Sequence, residues 1–166
     1  TAEWLKGVGP SSHIVMSTRI RLARNLAKMP FPNGADKKDL LTVVEDVGKA
    51  IAADDYFKNS VFLKMNELDS IDKQFLVERH LMSHEHAVSG DGKALIVSQE
   101  EILSIMVNEE DHLRIQVMQS GLNLTESLRI INALDDSLSK KLNYAYLGNW
   151  GYLTACPTNT GTAMRG

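Results

Sequence analysis

The stretch HIVMSTRIRLAR alternates in character: Ile14, Met16, Ile20 and Leu22 are apolar, while the odd positions include Ser17, Arg19 and Arg21. A period of two is that of a strand with one buried face, so Ser17, Arg19 and Arg21 share its polar face. The segment NEEDHLRIQVMQ does the same, with Leu113, Ile115 and Val117 on the buried side and Glu110, His112 and Arg114 on the other. Two strands that each carry arginine on their polar side call for a sheet with one face turned away from the core.

Three further segments, SVFLKMNEL, KALIVS and EILSIMV, have strand character. Helical spacing of Leu40, Leu41, Val43, Val44, Val47 and Ile51 predicts an amphipathic helix in ADKKDLLTVVEDVGKAIAADD. A second helix is expected in DSIDKQFLVERHLMS, capped by Asp69 or Ser70, and a third from Thr125 to about Tyr146, capped by Asn123 or Thr125. The third carries Leu128, Ile131, Leu134, Leu138 and Leu142, ends before Gly148 and Gly151, and leads to a last strand, YLTAC. Strands that cluster without regular helical crossovers imply an α+β fold, a largely antiparallel sheet flanked by helices. The helices are expected on one face, leaving the other for a site.

A chain of 166 residues fits one domain. No apolar run approaches the roughly 18 residues of a membrane span, and the start TAEWLKGVGP lacks a signal-peptide core, so a cytoplasmic protein without a membrane partner is expected. A single cysteine makes no internal disulfide. The net charge of -3 argues against nucleic acid as a partner but leaves room for a local anion site.

Arg19, Arg21 and Arg114, with Arg165 near the chain end, supply rigid donor forks suited to phosphate or carboxylate. Taken one at a time, each arginine is equally explained as an exposed ion pair. Glu109, Glu110 and Asp111 form an acidic run beside Arg114. Such crowding suits a solvated turn, and it also suits a bound cation, whether magnesium on a nucleotide or a guanidinium. His80, His84 and His86 have metal-ligand spacing but no evident fourth ligand, and a helix end explains them. Cys156, before Pro157 and a run of small polar residues, reads either as a reactive thiol or as a small buried side chain. A nucleophile pair with His112 would need a proximity that the sequence does not establish.

STRIRLARN, VNEEDHLRIQ and GYLTACPTNTGT followed by an arginine resemble, in order, the three signature blocks of the ATP:guanido phosphotransferases. The resemblance implies a fold like the catalytic domain of glutamine synthetase, with ATP and Mg2+ as cosubstrate. By motif it puts Ser17, Thr18, Arg19, Ile20 and Arg21 at the nucleotide, Arg114 and Arg165 on its phosphates, and His80 of ERHLMS in contact with ATP. Glu110, with Glu109 beside it, would orient a guanidinium or support magnesium through water, and Cys156 would lie against that guanidinium. LVERHLMS, RLARN and LDDSL resemble the branch that phosphorylates arginine side chains of proteins. The alternatives are a kinase of free arginine or another small guanidino compound, and a noncatalytic nucleotide-binding or regulatory module. A Cys hydrolase is the outsider.

Small-molecule members carry a helical domain before STR, and members of the family continue beyond CPTN with further arginine and glutamate loops. The chain is therefore expected to be the first portion of a catalytic domain, residues 1–166, with little activity alone and with exposed sheet edges that a homodimer would cover.

Overall fold

The computed structural model describes residues 2–88 and 90–166. After a 3-10 turn at Glu3–Lys6 come β1 (Ser17–Arg24), α1 (Lys37–Ala52), β2 (Ser60–Lys64), α2 (Ser70–Glu78), α3 (His84–Val88), β3 (Ala94–Ser98), β4 (Leu103–Val107), β5 (Leu113–Ser120), α4 (Leu124–Ser139), β6 (Tyr146–Leu147), β7 (Gly151–Tyr152) and β8 (Met164–Arg165). Six strands form one sheet in the order β2-β3-β4-β5-β1-β8, and each neighbouring pair is antiparallel. β6 and β7 form a separate hairpin. This is the α+β, mostly antiparallel architecture expected of the alternating strands.

The alternation sets the faces. Ile20 and Leu22 of β1 join Ile96, Ile105 and Ile115 against Val43 and Val47 of α1 and Ile131, Leu134 and Leu138 of α4. The antiparallel register pairs Ser17 with Ser120 and Arg21 with Gln116, and a slip of one residue would turn the arginines into this core.

The opposite face is not left bare. Leu95, Val97 and Met106 pack there with Leu76 of α2 and with Leu81 and Met82. The reason lies in KALIVS and EILSIMV: strands apolar at nearly every position demand cover on both sides. Only the part of this face over β5, β1 and β8 carries the arginines.

Two helices stop earlier than their apolar spacing predicts. α2 is capped by Asp69, whose side chain accepts from the Asp72 N–H at 2.8 Å, but it ends at Glu78 and His80 adopts φ 58°. α4 ends at Ser139 rather than near Tyr146, without a side-chain cap at Asn123. Leu142 still enters the core, but the chain around it bonds to the segment after β1, through Ala27 N–H to the Asn143 carbonyl (2.8 Å) and Ala145 N–H to that of Asn25 (2.7 Å). Of YLTAC, only Tyr152 belongs to a strand.

His86 of α3 is fully buried, its Nε2 3.0 Å from the Ala94 carbonyl. Burial pushes its pKa down to about 4, with smaller help from Lys93 and Arg114 and against smaller opposing effects of that hydrogen bond and Glu109. Because the folded pKa lies below the unfolded one, this contribution to stability is complete above about pH 6.5 and is lost as pH falls toward 4, by at most about 3 kcal/mol. Denaturant midpoints across this range should fall more steeply for the wild type than for His86→Gln; parallel slopes would contradict this.

Candidate active site

Residues opposite one another in an antiparallel pair point to the same face. Arg21 faces Gln116 on β5 and Arg165 on β8, Arg19 faces Met118, and Arg114 faces Ala23. Arg19, Arg21, Arg114 and Arg165 therefore form one cationic strip across three adjacent strands. Arg21 registers the crowding: its pKa is lowered first by burial and then by Arg19, Arg114 and Arg165. Such a cluster is unfavourable until an anion joins it.

A carboxylate pair stands beside the strip. The Arg114 fork holds Glu109 at 2.8 Å and Glu110 at 3.0 Å, and the Ser83 hydroxyl donates to Glu109 at 2.9 Å. The Glu109 side chain is almost buried at 7% exposure, whereas that of Glu110 is 39% exposed, so Glu110 is the one open to a ligand. The turn that presents them depends on Asn108, which has φ 59° and whose amide donates to the carbonyls of Leu40 (2.9 Å) and Gly92 (2.7 Å).

Asp111 does different work from the two glutamates. It is fully buried, and its Oδ1 accepts from the Asn25 amide at 2.6 Å and from the Ala155 N–H at 2.7 Å. The latter bond ties the loop bearing Cys156 to the turn bearing Glu110. Cys156 is half-buried, with Sγ 3.0 Å from the Thr158 hydroxyl. The loop closes on itself through Tyr152 N–H to the Gly161 carbonyl at 2.8 Å. A Cβ on Gly151, which has φ +78°, would lie 2.4 Å from that carbonyl oxygen, so only glycine allows the closure.

His112 was expected beside Glu110 and Arg114 on the polar face, but β5 begins only at Leu113 and the ring is buried. Its Nδ1 accepts from the Leu26 N–H at 2.9 Å and its Nε2 donates to the Pro30 carbonyl at 3.0 Å. With both nitrogens held by backbone, it offers no base to Cys156, which removes the Cys–His pair.

Thr18 and Ile20, expected at the nucleotide, turn their side chains elsewhere. Both lie on the helix-covered face: Ile20 is in the core, and the buried Thr18 hydroxyl donates to the Gly121 carbonyl at 2.6 Å. The pleat turns every second side chain of the STRIR motif away from the arginine face. Ser17, Arg19, Arg21 and His80 do come together, with Trp4, Met16 and Met118, around a cavity of about 360 Å³. A smaller depression shares Arg21 with it and is also lined by Arg114, Asn159 and Arg165. His84 opens α3 and His86 is buried, and among the described residues no three His, Cys, Asp or Glu side chains converge as a metal site.

Arg24, Asn25 and Trp4 escaped the reading of the sequence. Arg24 did leave a signal, because it falls on the apolar phase set by Ile20 and Leu22, and an arginine there must be paired inside. It is: Arg24 bonds Asp135 at 2.7 Å and lies over the Tyr152 ring, 3.5 Å from its centroid.

Residues 42–166 match the family model for the ATP:guanido phosphotransferase C-terminal catalytic domain. The chain is similar to proteins named protein-arginine kinase from Halothermothrix orenii and Moorella thermoacetica, 45% identical to each over 99% of this chain and 47% and 48% of those proteins. It thus spans about half the length of these curated relatives. Among solved structures, the duplicated taurocyamine kinase from Schistosoma mansoni with bound transition state analog components superposes with a TM-score of 0.87 at 24% identity, over 95% of this chain and 23% of that one. A lombricine kinase does so with 0.76 at 23%, over 89% and 45%. These two likenesses show the fold, and the matched domain together with the signature blocks on the arginine face shows that the chain belongs to the ATP:guanido phosphotransferase family.

Proposed function

We propose that this protein is a protein-arginine kinase, which transfers the γ-phosphoryl group of magnesium-bound ATP to the guanidinium of arginine side chains in proteins. The observation that carries the reading is the junction at Arg114, where a four-arginine strip meets the Glu109–Glu110 pair. The names of the relatives supply the acceptor class.

The strip suits the phosphates, because phosphoryl transfer depends mainly on alignment and on neutralising charge at the transferred group. A guanidinium, with a pKa above about 12, is a poor nucleophile until one nitrogen is held in line with the phosphorus. Glu110, half-exposed, is the group to orient it. A P–N bond then forms as the bond from phosphorus to the β-γ bridging oxygen breaks, ADP departs, and the nitrogen proton passes to the carboxylate.

Cys156 contributes by position beside the guanidinium, with no covalent intermediate. Cys156→Ser should lower turnover by roughly 10²-fold while leaving ATP affinity intact, since misplacement at the reacting centre costs about that much. An equal loss of ATP affinity in a calorimetric titration would contradict this role.

The function itself is tested by giving the full-length protein labelled ATP with either an arginine-rich protein or free arginine. Acid-labile label on the protein is expected. Label on free arginine alone would favour a small-guanidino kinase, and no transfer to either would overturn the reading.

A further inference from the structure

We propose that Trp4 is a positioning residue for the nucleotide: its indole walls the cavity over β1 and β5 and holds the His80 ring toward the bound base. This rests on reading that cavity as the ATP site.

The cavity has two chemical halves. Arg19 and Arg21 give it cations, while Trp4, Met16 and Met118 give it apolar surface, with His80 beside them. A ligand that is anionic at one end and flat and apolar at the other fits such a lining, and the volume lies within the roughly 300–1,000 Å³ of small-molecule sites.

Trp4 reaches this place from far away in sequence and is firmly held. It packs with Ala2 and Met118, and it is 8% exposed. Its neighbour Glu3 accepts from the Ser120 N–H at 2.8 Å and donates its own N–H to the Glu100 carbonyl at 3.2 Å. Further along, the Gly9 N–H donates to the Ser120 hydroxyl at 3.2 Å. The approach there is so close that a Cβ on Gly9 would lie 1.8 Å from the Ser120 carbonyl oxygen.

His80 in turn is constrained from three sides. Its backbone has φ 58°, its carbonyl accepts from the Gln116 amide at 2.7 Å, and its ring meets the Trp4 ring edge-on, with centroids 5.3 Å apart. The first two fix the backbone, and only the indole contact bears on where the imidazole points. Among the described residues the Trp4 Nε1–H has no acceptor, so the indole acts by packing, and a phenyl ring replaces it without losing a hydrogen bond.

The test uses the full-length protein. Trp4→Ala should raise KM for ATP about 10-fold with kcat and the KM for the arginine substrate nearly unchanged, and Trp4→Phe should recover most of the difference. An unchanged ATP KM in Trp4→Ala, a parallel fall of kcat, or no recovery in Trp4→Phe would overturn the proposal. A variant in which Trp4 is the sole tryptophan, with the exposed Trp150 and any others changed to Phe, provides a second readout. Its emission should change as ATP saturates the site, with binding measured independently by calorimetry. Calorimetric binding with unaltered emission overturns the role of Trp4 alone; absence of calorimetric binding overturns the nucleotide site and this proposal with it.

Discussion

Arg114→Ala is expected to reduce phosphoryl transfer by at least about 10³-fold, the largest catalytic effect of any single replacement on the sheet face. Arg114 does two jobs there. It belongs to the cationic strip proposed to receive the phosphates, and its fork bonds Glu109 and Glu110 at once. Without it, the nearly buried Glu109 keeps only the Ser83 hydroxyl and its neighbour's N–H, at 2.9 and 3.0 Å. Two adjacent carboxylates would then repel each other where the proposed acceptor guanidinium is to be aligned. Arg114→Lys separates the two jobs, because it keeps a charge near the phosphates but cannot bond both carboxylates in the same fixed plane. It should recover part of the loss. Steady-state kinetics on the full-length protein checks both, and an Arg114→Ala enzyme within 10-fold of wild type would refute the assignment.

The largest effect on stability is expected from Arg24→Ala, at about 3–5 kcal/mol, because removing one partner leaves the other charge buried and unpaired. The side chains of Arg24 and Asp135 are 4% and 10% exposed and are joined through Nε and Nη2 of the arginine. The same guanidinium donates to the carbonyls of Ala23 (2.8 Å) and Thr162 (3.2 Å) and lies over Tyr152. It therefore joins β1, α4 and the segment carrying Cys156. Against the total stability of 5–15 kcal/mol typical of a domain, such a loss leaves a large unfolded fraction. Replacing both partners with apolar residues, as Arg24→Met with Asp135→Leu, should cost far less. Urea denaturation measures both, and a loss below about 1 kcal/mol for Arg24→Ala would contradict the account.

The sheet was legible because β1 and β5 alternate, which gave both their faces and the placement of Arg19, Arg21 and Arg114. The cover on the second face was missed, although it followed from the unbroken apolarity of β3 and β4. Leu138 and Leu142 continue a helical spacing, but the bonds from Ala27 and Ala145 hold the chain in another conformation, and only tertiary pairing reveals them. At the site, the motifs named segments that the sheet brings together without saying which side chains line the cavity. Thr18 and Ile20 turn away by the pleat, and Asp111 and His112 are consumed in holding loops. Their bonds cross 44 to 103 residues of chain, beyond the reach of local pattern. The role proposed for Trp4 depends likewise on a contact with His80, far along the chain.

The most direct test of the central claim, that the junction of arginine strip and carboxylate pair phosphorylates arginine in proteins, is to find the atom that carries the phosphate. The full-length protein is incubated with magnesium and ATP and an arginine-bearing protein, and the product is sequenced by mass spectrometry under non-acidic conditions. The account predicts phosphate on arginine guanidinium nitrogen. Phosphate confined to serine, threonine or tyrosine, or ATP consumed with no modified arginine, would contradict it.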